Sequence, residues 1–221
     1  MPEFMTAAIQ FEEGRKFVPK PKARKIMIIR HAEKPDSTNS GVTETGQRSK
    51  HDLIVRGWER AGALVCFFAP NKGPVQNPHI AQPQFLFASK PGKDPKFQPG
   101  NGVESKSNRP QETLLPLSKR LKLKINTQYA KGKEEKVAAA AQKCDGVVLI
   151  AWQHECIDAI VKSLPGKHAL LPKKWPGNRF DIVYVLDLQS RGEYKFLQVA
   201  QCLLAGDQGT PIKNLRKRTG R

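Results

Sequence analysis

An arginine and a histidine, Arg30-His31, stop the apolar run Ile26-Met27-Ile28-Ile29 and are followed by Ala32-Glu33. A run of this kind reads as a short buried strand, and open α/β sheets set their chemistry at the carboxyl ends of strands. A histidine there can serve as nucleophile, base or metal ligand. The neighbouring guanidinium argues for an anion rather than a metal, because its paired N–H donors match phosphate oxygens. A second histidine has the same placement: His154, with Glu155, comes just after the run Gly146-Val147-Val148-Leu149-Ile150-Ala151. Two separate strand-to-helix junctions carrying histidines at one sheet edge, with an arginine beside the first, point to a site rather than to two structural imidazoles.

Those junctions need a sheet and covering helices. Strands are expected at 25–29, 84–88, 146–151, 181–188 and 194–204, the last two joined by a turn at Ser190-Arg191-Gly192. Apolar residues at 53, 54, 58, 61, 64, 65 and 68 have helical spacing. Further helices are expected at 110–121, with Pro110 in its first turn, at 133–143 and at 155–164. The segment 34–51 is rich in Ser, Thr, Gly and Asn, reads as a loop and should lie beside the site. Such an order of elements implies a three-layer α/β/α sandwich with a mainly parallel sheet and one antiparallel strand near its end. The domain is expected over 25–205, between a poorly ordered basic arm (1–24) and a basic tail (206–221). The long loop 90–108 reads equally as a lid offering Lys90, Lys93, Lys96 and Lys106 to an anionic substrate and as a solvated insertion.

The 221 residues are enough for a substantial core. No apolar stretch approaches the ~20 residues of a membrane span, and the first 25 residues hold no signal-like block, so a cytoplasmic protein is expected. Cys66, Cys144, Cys156 and Cys202 fit no zinc pattern, and Cys66 and Cys202 read as buried thiols. With 38 Lys+Arg against 20 Asp+Glu, the formal charge is +18. This balance favours anionic partners: phosphorylated substrates, nucleic acid or acidic surfaces.

The run Ile28-Ile29-Arg30-His31-Ala32-Glu33-Lys34-Pro35 resembles the R-H-G/A-E signature of the histidine phosphatase superfamily, which includes the cofactor-dependent phosphoglycerate mutases. Leu53-x-x-x-Gly57-x-x-Arg60-Ala61 is similar to that family's first helix, L-T-x-x-G-x-x-Q-A. Ser107-Asn108-Arg109-Pro110-Gln111-Glu112-Thr113 resembles its S-x-x-R-x-x-x-T segment, one residue shorter before the arginine. Val148-Leu149-Ile150-Ala151-Trp152-Gln153-His154-Glu155 resembles its second-histidine strand. The motifs keep the family's order across roughly 25–188.

The resemblance implies a phosphoglycerate mutase-like fold and a metal-independent phosphatase with no cofactor. His31 would be the nucleophile carrying a transient phosphoryl group, Arg30 and Arg109 would bind the phosphate oxygens, and His154 would complete the pocket. For the proton donor it leaves Glu155, Glu134 and Glu33 open, with Glu155 favoured. Ala32 stands where the commoner branch has glycine, and Ser37 where the mutase signature has asparagine, which favours simple hydrolysis over mutase activity. The expected substrate is a phosphorylated small molecule or a phosphoprotein. The alternative is a catalytically weak protein that binds phosphate, or nucleic acid through its basic ends.

Overall fold

The apolar run before His31 forms β1 (Lys25–Arg30), buried from Ile26 onward inside a six-stranded sheet. The computed structural model describes residues 20–92 and 106–213. After β1 come α1 (Val55–Phe68), β2 (Phe85–Ala88), α2 (Arg109–Leu121), β3 (Ile125–Asn126), α3 (Glu134–Lys143), β4 (Val147–Trp152), α4 (Ile157–Lys162), β5 (Ile182–Leu188) and β6 (Tyr194–Ala200). The turn His154–Cys156 is 3-10 and leads into α4.

The strand order is β3-β2-β4-β1-β5-β6. The pairs β1–β4, β2–β4 and β2–β3 are parallel, while β5 opposes both of its neighbours. The sheet is thus mainly parallel, with β5 the reversed strand, as the order of elements implies.

Strand alternation divides the core into two faces. Ile26 and Ile28 of β1, Val148 and Ile150 of β4 and Tyr184 of β5 pack with Val137, Ala138 and Ala141 of α3 and Ile157, Ile160 and Val161 of α4. The intervening Met27, Ile29, Leu149, Ala151 and Val183 pack with Leu64, Phe67 and Phe68 of α1 and Leu114 and Leu117 of α2. This is the three-layer sandwich. Strands buried on both faces must be apolar at every position, and β4 is buried throughout.

Gly57 sets how closely α1 approaches the site. A Cβ at this position would meet Glu33 O at 2.6 Å. In an exposed helix, Gly→Ala gains about 1 kcal/mol. At Gly57 the obstructing carbonyl belongs to the backbone just after His31 and Ala32, so the sign reverses. Overpacking of this kind costs about 2 kcal/mol, which at this chain length lowers Tm by roughly 4–8 °C. Gly57→Ala is therefore expected to melt earlier in scanning calorimetry; an unchanged or higher Tm would mean that α1 can slide away freely.

Some expectations are corrected. Cys66 and Cys202 are exposed rather than buried. Cys66 lies off the Ala61, Leu64, Phe68 stripe of α1, and Cys202 follows β6 in a left-handed conformation, φ 50°. Strand β6 ends at Ala200, short of 204, because the chain turns where Asp207 accepts hydrogen bonds from Leu203 N–H (2.8 Å) and Leu204 N–H (3.1 Å). The fold also continues past 205: Asp207 pairs with Arg60, and Ile212 is buried with its N–H donating to Gln198 at 3.0 Å. At the other end Ala23 is buried, and its N–H donates to Gln142 O at 3.2 Å. Most of the 90–108 loop, and both charged ends, lie outside the described residues. Among the described residues, no helix is long and apolar enough to cross a membrane.

Candidate active site

The parallel pairing of β1 with β4 puts Arg30 opposite Trp152. His31 N–H continues the ladder, donating to Trp152 O at 3.0 Å. His31 and His154 therefore leave two adjacent strands at the same sheet edge, and this follows from register alone.

The His31 side chain is buried, and its Nδ1 lies 2.7 Å from Ala32 O. A carbonyl only accepts, so Nδ1 carries the proton and the Nε2 lone pair is free. Burial lowers the His31 pKa to about 3, and the charges of Arg30 and Arg109 push in the same direction. The consequence has a definite sign. The folded state resists protonation, so acid in the window from the ordinary 6.5 down to about 3 favours the unfolded chain and stability falls. In ring-nitrogen NMR, His31 is expected to remain neutral and Nδ1-protonated between about pH 5 and pH 8. An ordinary titration near 6.5 would contradict the lowered pKa, and a neutral ring protonated at Nε2 would contradict the tautomer.

Arg30 is 1% exposed. Its Nη1 donates to three carbonyls, those of Gly177 at 2.7 Å, Arg179 at 3.0 Å and Pro176 at 3.4 Å. The guanidinium stacks over Phe180, 3.7 Å from the ring centroid. Nη1 is thus consumed in holding the side chain, while the buried Nε and Nη2 have no acceptor among the described residues. Burial lowers Arg30 to about 10, so it remains cationic at neutral pH. Buried donors without acceptors are costly, and this pair suits the oxygens of an anion.

Arg109 opens α2. Its Nη1 donates to Lys50 O at 3.3 Å, and its Nε is buried without an acceptor among the described residues. Thr113, one turn on, links α2 to the backbone after His31, its Oγ1 accepting from Ala32 N–H at 2.8 Å and donating to Arg109 O at 2.7 Å. The 34–51 loop does lie beside the site, through Lys50.

His154 Nδ1 is 2.9 Å from Glu155 Oε2, close enough for an ion pair but not aligned as a hydrogen bond. The other Glu155 oxygen takes Lys131 Nζ at 2.6 Å. The contact with His154, and then Lys131, hold Glu155 well below the usual carboxylate range. This revises the expectation that Glu155 donates a proton, because a carboxylate so held is ionised. The other two acids are engaged elsewhere. Glu33 accepts from Arg60 Nη2 at 2.8 Å and Nε at 3.0 Å, and Glu134 accepts from Trp152 Nε1 at 2.9 Å and Gly132 N–H at 3.0 Å.

Beyond His154 a cleft of about 220 Å³ continues between Glu155, Asp158, Lys173, Lys174 and Trp175. Roomier clefts beside β2–β3 (about 640 Å³) and between α1 and α2 (about 460 Å³) contain neither histidine nor arginine, so volume does not mark the chemistry. The sequence reading missed Phe180 and the three carbonyls that hold Arg30, and it missed Gln153, which bridges to Ser89 Oγ at 2.7 Å. The Pro176-Gly177 pair ahead of β5 was the available signal for a special loop there.

Comparison with protein-family models and with curated proteins finds no match. Among solved structures, the chain is similar to one from Agrobacterium tumefaciens provisionally assigned as the phosphohistidine phosphatase SixA. Identity is 15% and the TM-score 0.44, with 80% of this chain and 97% of that one covered. It is also similar to an Escherichia coli K-12 structure provisionally assigned as an alpha-ribazole-5′-P phosphatase. Identity there is 11% and the TM-score 0.44, covering 80% of this chain and 96% of that one. Neither likeness assigns a role to a side chain.

Proposed function

We propose that this protein hydrolyses a phosphomonoester, without a metal, through a phosphohistidine on His31. One observation carries the reading: a buried imidazole with its Nε2 lone pair free stands beside an arginine whose Nε and Nη2 are buried without acceptors. A phosphoryl group in transfer spreads negative charge over its equatorial oxygens, so positioned cations supply most of the catalysis. Arg30 and Arg109 are the cations available for those oxygens.

In the first step Nε2 bonds to phosphorus, the bond to the ester oxygen breaks, and the leaving alkoxide needs a proton. We assign that proton to His154 Nε2, with the Glu155 carboxylate beside Nδ1 orienting the ring and balancing its charge. His154, then neutral, takes a proton from the water that attacks the phosphohistidine. Inorganic phosphate leaves and His31 returns to its starting tautomer. No added co-reactant is needed.

The test is p-nitrophenyl phosphate turnover with EDTA present, together with rapid quenching of a ³²P-labelled phosphoester. Turnover that survives EDTA, with a protein label stable in base and lost in acid, supports the reading. Turnover abolished by EDTA, or a label stable in acid, defeats it.

A further inference from the structure

A buried pair of carboxyl groups, Asp52 and Glu112, lies behind Arg109 and takes no part in the chemistry above. Both residues are buried. Glu112 Oε2 accepts from Leu53 N–H at 2.9 Å, and the Glu112 carboxyl lies against that of Asp52. Asp52 also accepts from Ser49 Oγ, and its Oδ1 accepts from Asn108 Nδ2 at 3.1 Å. Asn108 N–H donates to His51 O at 3.0 Å, and Arg109 Nη1 to Lys50 O at 3.3 Å. Apart from the Ser49 bond, which lies within the 49–53 segment, these links join that segment to the first turn of α2, around Arg109.

Ionised carboxylates only accept, so two of them in contact can bond only with a proton between them. We infer that Glu112 is a positioning residue for Arg109: as a neutral acid donating to Asp52, it clamps the 49–53 segment to the helix turn that aims the guanidinium. This role rests on reading Arg109 as a phosphate ligand. Burial, and then the hydrogen bond to Asp52, push Glu112 up to about 9. Asp52 stays below its ordinary value because the hydrogen bonds from Glu112, Ser49 and Asn108 outweigh its burial. The charged and titratable groups facing the pair are Arg109 on the same helix and His51 on the loop, with Lys50 and Lys106 next to His51. Losing the shared proton sets two buried carboxylates against each other. The clamp then opens and Arg109 loses its aim.

The experiment is calorimetric titration of the full chain with inorganic phosphate at about pH 8 and about pH 10, where the phosphate dianion keeps its charge. The readout is the ratio of the two affinities, compared between wild type, Glu112→Gln and Asp52→Asn. Glutamine keeps both hydrogen bonds and cannot ionise. Asparagine donates to Glu112 and removes the need for the proton. Arg30, lowered to about 10, weakens binding at the alkaline end in all three proteins and cancels in the comparison. Wild type is expected to lose roughly tenfold more affinity than either variant. Equal losses in wild type and in whichever variant folds would overturn the role. Wild type that binds no phosphate at pH 8 overturns both this role and the phosphate pocket. Binding with the expected ratio but no ester turnover upholds the role and defeats the hydrolase.

Discussion

His31→Ala is expected to lower kcat for p-nitrophenyl phosphate by at least about 10³-fold, with no acid-labile label trapped on the protein. Among the described residues, no other group stands where it could take over the role proposed for His31. His154 stands beyond Trp152 on the neighbouring strand, with its Nδ1 beside Glu155. The substitution removes a buried ring that holds one hydrogen bond, to Ala32 O. The strand pairing that forms the site is backbone and survives, as do Arg30 and its carbonyls. Phosphate should therefore still bind, and a normal Tm with retained phosphate affinity would separate lost chemistry from lost folding. Turnover within about tenfold of wild type would mean that water attacks the ester directly, leaving His31 a merely structural imidazole.

Arg30→Lys is expected to cut kcat/KM by roughly 10²–10³-fold, the scale of losing a preorganised donor at the transition state. Charge is conserved; geometry is not. Arginine satisfies three carbonyls with Nη1 alone and keeps Nε and Nη2 for the ligand. A lysine ammonium has a single nitrogen and must choose between those tasks. It also lacks the planar face that stacks on Phe180 at 3.7 Å. Steady-state kinetics with a Tm control check this, and a loss below about threefold would show that charge alone suffices at this position.

The parts of the fold with a side-chain signature were legible in the sequence. β1 and β4 are unbroken apolar runs because helices cover both faces of the sheet, and their abrupt ends at Arg30-His31 and before His154 marked the sheet edge where both histidines lie. What holds Arg30 was not legible, because the acceptors at 176, 177 and 179 are carbonyls, which every residue has. Glu155 was singled out for its place in the chain, but its protonation state depends on His154 beside it and then on Lys131, 24 residues away in sequence. Glu33 was weighed as an acid and is the partner of Arg60, the salt-bridge role that a helix arginine more often takes. Glu112 gave no sign at all, since a carboxyl at a helix start is ordinary until burial beside Asp52 makes it neutral.

The ties between the start of the fold and its later residues bear on how the protein is made. Glu33 meets Arg60, and Arg60 meets Asp207, which is 147 positions further on. Arg30 is fixed by Gly177, at the same separation. On the ribosome, the His31 segment emerges early but cannot be locked in place until these distant partners follow. An N-terminal nascent fragment would carry His31 yet lack the carbonyls that hold Arg30, so the proposed activity should appear late in synthesis rather than piecemeal.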